Sequence, residues 1–258
     1  MNSIYTAEQV KAFEKNTFIK EGDDLHAMKT AAKQSVEILN KDYPTSEFLI
    51  LCGPGNNGGD GYFIGIGLSE LKKSVKFLDV LGDARKSPLC EHAFKAAKGS
   101  QFVNAKALKN ISSKTVVVDA IFGIGGRIDL GSKLEKILSD CDKFDSKVAI
   151  DVPTGLESNT GEISQACFNA DKTITFIAYK LGQRINEGKD NCGELILKDL
   201  ELGMEENVSP TVNELSFEDI KKIIPKRGQN SHKGDHGRLL IIAGDDGFGG
   251  AGIMSSES

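Results

Sequence analysis

The chain has 258 residues, of which 39% are hydrophobic and 27% charged: enough apolar content for one large or two small globular domains, and too much for a disordered tract. Its 32 basic and 37 acidic residues leave a net charge of −5, which excludes a sequence-wide field drawing the protein to nucleic acid or anionic membranes and points to a small-molecule partner. Five cysteines, odd in number, widely spaced and without a C-x-x-C pair, indicate a reducing, cytoplasmic setting, and no apolar run reaches the length of a bilayer span.

Residues 6–16 and 24–40 have helical character, with caps at Thr6 and at Asp23 or Asp24, and with Leu25, Met28, Ala32, Val36 and Leu39 at helical spacing. A first strand is expected over 48–52. Similar short apolar runs recur at 75–81, 115–118, 148–150, 173–177 and 194–197. Helices are expected between them at 60–73, 88–98, 106–111 and 132–141. This alternation predicts a three-layer α/β/α, Rossmann-like, mostly parallel sheet. Ligands of such sheets sit outside the carboxyl ends of the strands, so the loops after Cys52, Val118 and Ile150 should converge. From about residue 204 the chain turns polar, with Pro210 and Pro225, before another apolar strand at 239–243. The boundaries expected are a first domain over 1–210, a linker over 211–230 and an incomplete second domain over 231–258. The glycine- and serine-rich tail, 247–258, is expected to be mobile.

The densest motif is Gly53-Pro54-Gly55-Asn56-Asn57-Gly58-Gly59-Asp60-Gly61, which follows a strand and opens a helix. Glycines here let the backbone approach a ligand, and a helix N-terminus favours an anion such as a pyrophosphate. Gly53, Gly55 and Gly58 also satisfy G-x-G-x-x-G, and Asp79 ends the next strand about 20 residues on, so an NAD-dependent Rossmann dehydrogenase is an alternative. Against it, Asn56, Asn57 and Asp60 place side-chain oxygens and a negative charge where a plain pyrophosphate turn wants neither.

Asp119 ends the apolar run 116–118 and leads into Gly123, Ile124, Gly125, Gly126, Arg127, Ile128 and Asp129. Its carboxylate would point into the ligand crevice, with Arg127 available to a phosphate, although a strand-end aspartate capping the next turn is as common. Asp151 follows the run 148–150 in Asp151-Val152-Pro153-Thr154-Gly155. It is a candidate general acid or base, the plain alternative being a turn aspartate. Together, Asn57, Asp119 and Thr154 offer hard oxygen ligands from three strand ends, suited to an alkali or alkaline-earth cation rather than zinc. The four histidines, His26, His92, His232 and His236, show no ligand spacing.

GPGNNGGDG, DAIFG with its glycine-rich loop, and DVPTG, at these separations, closely resemble the NAD(P)H-hydrate epimerase family over roughly 1–210, and Ile4 to Val10 resembles that family's opening. The resemblance implies an isomerase that interconverts the R and S forms of hydrated NADH and NADPH. It implies cofactor contacts from Asn56, Asn57, Gly58, Gly59, Asp60 and from Gly123 to Asp129, Asp151 at the reacting ring, and potassium on Asn57, Asp119 and Thr154. The family usually has serine at the last position; threonine keeps the hydroxyl. Members are often homodimers. Ser231 to Arg238, then 239–244 and Gly249-Gly250-Ala251-Gly252, resemble the start of the ADP-dependent NAD(P)H-hydrate dehydratase domain, which follows the epimerase in bifunctional repair enzymes. Only its opening is present, so a separate or fused dehydratase is the expected functional partner and no dehydratase activity is expected of 231–258. Related domains also serve as non-catalytic scaffolds in RNA-decapping proteins; the retained Asp151 and the acidic balance argue against that alternative.

Overall fold

In the computed structural model, which describes residues 2–18, 23–126, 129–224, 230, 240–244 and 249–257, the apolar runs lie side by side as one sheet. The chain divides into two units, Met1–Glu214 and Leu215–Ser258. The first unit runs β1 (Asn2–Tyr5), α1 (Ala7–Thr17), α2 (Asp23–Asp42), β2 (Phe48–Cys52), α3 (Asn56–Glu70), β3 (Val75–Asp79), α4 (Pro88–Ala96), β4 (Gln101–Phe102), β5 (Val116–Ala120) and α5 (Ser132–Cys141). It continues with β6 (Ser146–Ile150), β7 (Lys172–Phe176), β8 (Tyr179–Lys180), α6 (Gly188–Asn191), β9 (Glu194–Lys198), α7 (Met204–Asn207) and β10 (Val212–Glu214). The second holds α8 (Phe217–Ile223) and α9 (Gly250–Glu257).

The main sheet has the order β4-β3-β2-β5-β6-β7-β9, with every neighbouring pair parallel. Both faces are covered. Phe48, Ile50 and Val118 pack with Leu39 of α2, Ile64 of α3 and Ala93 of α4, whereas Leu49, Leu51 and Val117 pack with Leu134, Ile137 and Leu138 of α5. Burial on both sides is why these strands read as continuous apolar runs rather than alternating ones. From β2 the chain steps outward to β3 and β4, then returns to β5 on β2's other side. The connections after β2 and β5 therefore part toward opposite faces, which opens a crevice at that switch point.

Two glycines let the crevice close tightly at its base. A Cβ on Gly53 would stand 2.0 Å from the Ile121 carbonyl oxygen, and one on Gly58 would stand 1.9 Å from the Gly53 carbonyl oxygen. A second, three-stranded sheet joins β1 antiparallel to β10 and parallel to β8, with Tyr5 in register with Lys180. It ties the N-terminal segment, and α1 directly after it, to the chain leaving β7.

Thr6 caps α1 in a capping box with Gln9, as its position predicts. Several boundaries differ from the sequence reading. α3 begins at Asn56, not residue 60, because the asparagines and glycines of the motif form its first turn. Residues 105–110 form a 3₁₀ helix rather than an α-helix. β10 lies inside the stretch expected to be linker, so the first unit runs to Glu214, and α8, opened by a Ser216–Asp219 capping box, lies there too. Of the strand expected at 239–243, the described part, residues 240–244, has no regular structure, and Leu240 and Ile242 are 79% and 88% exposed. A lone strand without a paired neighbour leaves its backbone groups unmatched. The tail expected to be mobile contains α9, while residues 231–239 lie outside the described residues.

The packing predicts a contrast between two glycines of one loop. Gly58→Ala should lower the unfolding free energy by about 3 kcal/mol, because its methyl meets backbone that must move. Gly55→Ala, with nothing within 4 Å of the new methyl, should cost at most about 1 kcal/mol. Urea denaturation of both variants checks this, and equal midpoints would contradict it.

Candidate active site

Asp119 sits in β5 itself, fully buried on the α5 side of the sheet. Its carboxylate accepts hydrogen bonds from the Ile121 N–H (3.0 Å), the Thr154 N–H (2.7 Å) and the Thr154 hydroxyl (2.8 Å). Burial pushes its pKa up to about 6, against the downward pull of those three bonds. The Thr154 hydroxyl accepts in turn from the Phe122 N–H at 3.3 Å. Asn57, in the first turn of α3, donates its amide to the Ile150 carbonyl at 3.0 Å, while its buried Oδ1 accepts no hydrogen bond from the described residues. The three oxygen-bearing residues predicted from sequence thus come from the exits of β2, β5 and β6, which are neighbours in the sheet.

Asp151 is the first residue after β6 and has φ +67°, a left-handed conformation that is strained for most residues and tolerated by aspartate. Its N–H donates to the Ile174 carbonyl at 2.7 Å, which turns the carboxylate toward the crevice's glycine loop. There Oδ2 accepts from the Ile124 N–H at 3.0 Å. Gly123 must be glycine for this approach, since a Cβ there would stand 2.6 Å from Oδ2. Oδ1 accepts from the Thr175 hydroxyl at 3.4 Å and from the Lys180 ammonium.

Lys180 is 1% exposed and Asp151 14%, so the ammonium is sealed while the carboxylate keeps one open side. The ammonium also donates to Thr175 Oγ1 and to the Phe176 carbonyl, both at 2.9 Å. Gln183 braces the arrangement: its amide donates to the Asp151 carbonyl at 2.7 Å and to Thr175 Oγ1 at 3.2 Å, and its Oε1 accepts from the Lys180 N–H at 2.9 Å. Lys180, Thr175 and Gln183 were not anticipated from sequence. The available signal was a lysine four residues beyond β7, which is indistinguishable from a solvated one until β8 is seen to bury it.

These groups open on a cavity of about 380 Å³ whose walls include Asn56, Asn57, Asp60, Gly123, Ile124, Gly125 and Asp151. Burial, and then Asp151 and Glu14 nearby, raise the Asp60 carboxyl well above its usual range. Of the other residues predicted to contact a ligand, Gly58 is buried against the Gly53 backbone and Gly59 against Met28 and Cys90, while Gly126 and Asp129 are exposed. Arg127 and Ile128 lie outside the described residues. Asp79, the acid that a dinucleotide-binding reading requires for a ribose, forms a 2.6 Å ion pair with Lys86, whose ammonium lies over the Phe94 ring. That pairing removes the carboxylate the dehydrogenase alternative depends on.

A parallel α/β/α sheet with a glycine-walled cavity at its switch point, and oxygen-bearing side chains at three strand ends, defines a Rossmann-like protein with a small-molecule site. The chain belongs to the family described as YjeF-related protein N-terminus, whose model matches residues 25–182. It is 32% identical over 271 residues to the bifunctional NAD(P)H-hydrate repair enzyme Nnr of Escherichia coli, covering 100% of this chain and 51% of that enzyme. It is 31% identical over 247 residues to the bifunctional NAD(P)H-hydrate repair enzyme of Leishmania infantum, covering 90% of this chain and 44% of that one. The chain therefore spans about half the length of the curated relatives it matches. The crystal structure of yeast ynu0 shares the fold, with a TM-score of 0.63 at 18% identity over 83% of this chain and 97% of that chain. Among the described residues, no helix is long and apolar enough to cross a membrane.

Removing one member of a buried ion pair leaves the other uncompensated. Lys180→Met should therefore lower the unfolding free energy by about 3 kcal/mol, whereas Lys11→Met at the exposed rim should change it by less than about 0.5 kcal/mol. Guanidinium titrations of the two variants distinguish these outcomes.

Proposed function

We propose that this chain is an isomerase that interconverts the R and S forms of hydrated NADH and NADPH, so that the S form can be taken by a dehydratase. The observation that carries the reading is Asp151, pinned by Ile124, Thr175 and Lys180 with one side open to a glycine-walled cavity. The names of the relatives as NAD(P)H-hydrate repair enzymes support it. The reaction is local to C6 of the nicotinamide ring: either the C6–hydroxyl or the C6–N1 bond opens and re-forms on the other face. Both routes require a proton to be taken up and another given.

The chain's residues divide this work. The free amides at the N-terminus of α3 suit the substrate's pyrophosphate, and the loop at Gly123 to Gly125 allows the ring to approach its backbone. Asp151 holds or moves the proton, while Lys180 keeps its carboxylate oriented. A homodimer, a cytoplasmic setting and a separate or fused dehydratase belong to the same proposal.

Potassium fits the residues present. Among the described residues, the buried Asn57 Oδ1 lacks a donor and the buried Asp119 carboxylate is paired with no ammonium or guanidinium. A weakly hydrated cation takes hard oxygens of this kind. Asn57, Asp119 and Thr154 would hold the ion, which when bound supplies a fixed positive charge beside the α3 N-terminus.

Two outcomes are expected. Asp151→Asn should slow interconversion of chromatographically resolved R and S hydrates by about 10²–10⁴-fold, while changing substrate affinity by less than about tenfold; turnover near that of the wild type would remove Asp151 from the reaction. Potassium should raise the melting temperature above that in lithium or choline at equal ionic strength, and Asp119→Asn should abolish the difference. A melting temperature indifferent to the cation would remove the ion from the account.

A further inference from the structure

α1 buries Val10 and Phe13, and Glu14 lies on the same stripe, four residues after Val10. An acidic side chain on the inward face breaks the pattern that the rest of the helix obeys, and such breaks concentrate at functional positions. Glu14 is half-buried and lines the Asp151 cavity as well as the one beside it. Among the described residues its carboxyl has no hydrogen bond or ion pair to account for its placement. The groups around it are Lys11 and Lys15 on its own helix, Asp24 of α2, Asp60 of α3, Asp151 after β6 and Lys180 of β8. Three carboxyls, Glu14, Asp60 and Asp151, thus share one cavity, and the buried ammonium of Lys180 is committed to Asp151.

We propose that Glu14 is a second proton-transfer residue of this site, giving a proton while the Asp151 carboxylate takes one. The inference rests on the epimerase reading. If C6–O breaks, the neutral Glu14 carboxyl protonates the leaving hydroxyl, water departs, and N1 shares its electron pair with C6. Asp151 then takes a proton from water adding to the other face, and a proton passing back to Glu14 through solvent resets the site. If C6–N1 breaks, Asp151 takes the hydroxyl proton as C6=O forms, the bond's electron pair goes to N1, and Glu14 protonates N1; ring closure on the other face reverses both transfers. Neither route needs an oxidant or reductant.

Burial first, then the neighbouring Asp151, pushes the Glu14 carboxyl up to about 7, with Lys180 and Lys11 opposing. The group is therefore still substantially protonated near neutral pH, and activity that needs its proton is lost as pH rises through about 7. The same shift has a stability counterpart. Glu14 binds more protons folded than unfolded between about 4.5 and 7, so ionising it destabilises the fold as pH rises through that window.

The test uses the full chain and the R and S hydrates of NADPH resolved by chromatography. Glu14→Gln should lower kcat/KM about 10²–10⁴-fold and remove the alkaline limb near pH 7 from its pH profile. Glu14→Asp, which keeps a titratable acid, should recover part of the rate and an alkaline limb. Glu14→Gln should also melt higher than wild type at pH 8 and alike at pH 4, which shows that it folds. A Glu14→Gln enzyme with wild-type kcat/KM and an unchanged pH profile would overturn the proposal while leaving the epimerase reading standing. A wild-type chain that interconverts nothing at any pH would instead overturn that reading, and this inference with it.

Discussion

A lysine side chain with 1% of its surface exposed must have every proton of its ammonium placed, and Lys180 meets that requirement with Asp151, Thr175 and the Phe176 carbonyl. The rest of the site follows from that demand. Asp151 has to leave β6 in a left-handed turn to present Oδ1 to the ammonium, and this same turn leaves Oδ2 facing the Ile124 N–H. Gln183 holds the backbone of both partners, so neither can rotate alone. Lys180 belongs to β8, whose pairing with β1 sets Tyr5 opposite Lys180 and delivers α1, with Glu14, to the same cavity. The small sheet, which contributes little core, thus fixes where two distant parts of the chain meet.

Charge explains why this end of the sheet differs from the other. Asp119, Asp60, Asp151 and Glu14 gather near the exits of β2, β5 and β6, and burial raises three of them: Asp119, Asp60 and Glu14. A structure optimised for stability alone would not collect carboxyls in low dielectric. Asp119 is met by three donors and no cation among the described residues. Asp151 has an ammonium. Glu14 and Asp60 remain with raised affinity for protons. Surroundings thereby differentiate carboxyls that lie within one site, the general means by which a fold sets proton-transfer groups apart.

Much of this was legible in the sequence because the central strands are buried on both faces. Phe48–Cys52 stands where its apolar run predicts, and Ser132–Cys141 is the helix its pattern predicts. The glycine motif, Asp119, Asp151 and Thr154 were legible because strand-end polar residues stand out against such runs. What could not be read was whatever depends on pairing across long stretches of chain. β1, β8 and β10 are two to four residues long and gain their meaning only from one another. Lys180 and Glu14 carry side chains that are usually solvated, and only that sheet brings them inward. The apolar run at 239–243 shows the opposite failure: its pattern suits a strand, but among the described residues it has no strand to pair with.

The central claim is that one cavity, centred on Asp151, exchanges the two faces of C6 in a hydrated nicotinamide cofactor. Its most direct measurement starts from an equal mixture of R and S hydrates and an excess of a separate dehydratase that accepts the S form alone. Recovery of reduced cofactor absorbance is followed at a pH where spontaneous interconversion is slow. With this chain present, the account predicts that both epimers are consumed, the second half at a rate proportional to the concentration of the chain. Recovery that halts at half the substrate, however much of the chain is added, would contradict it.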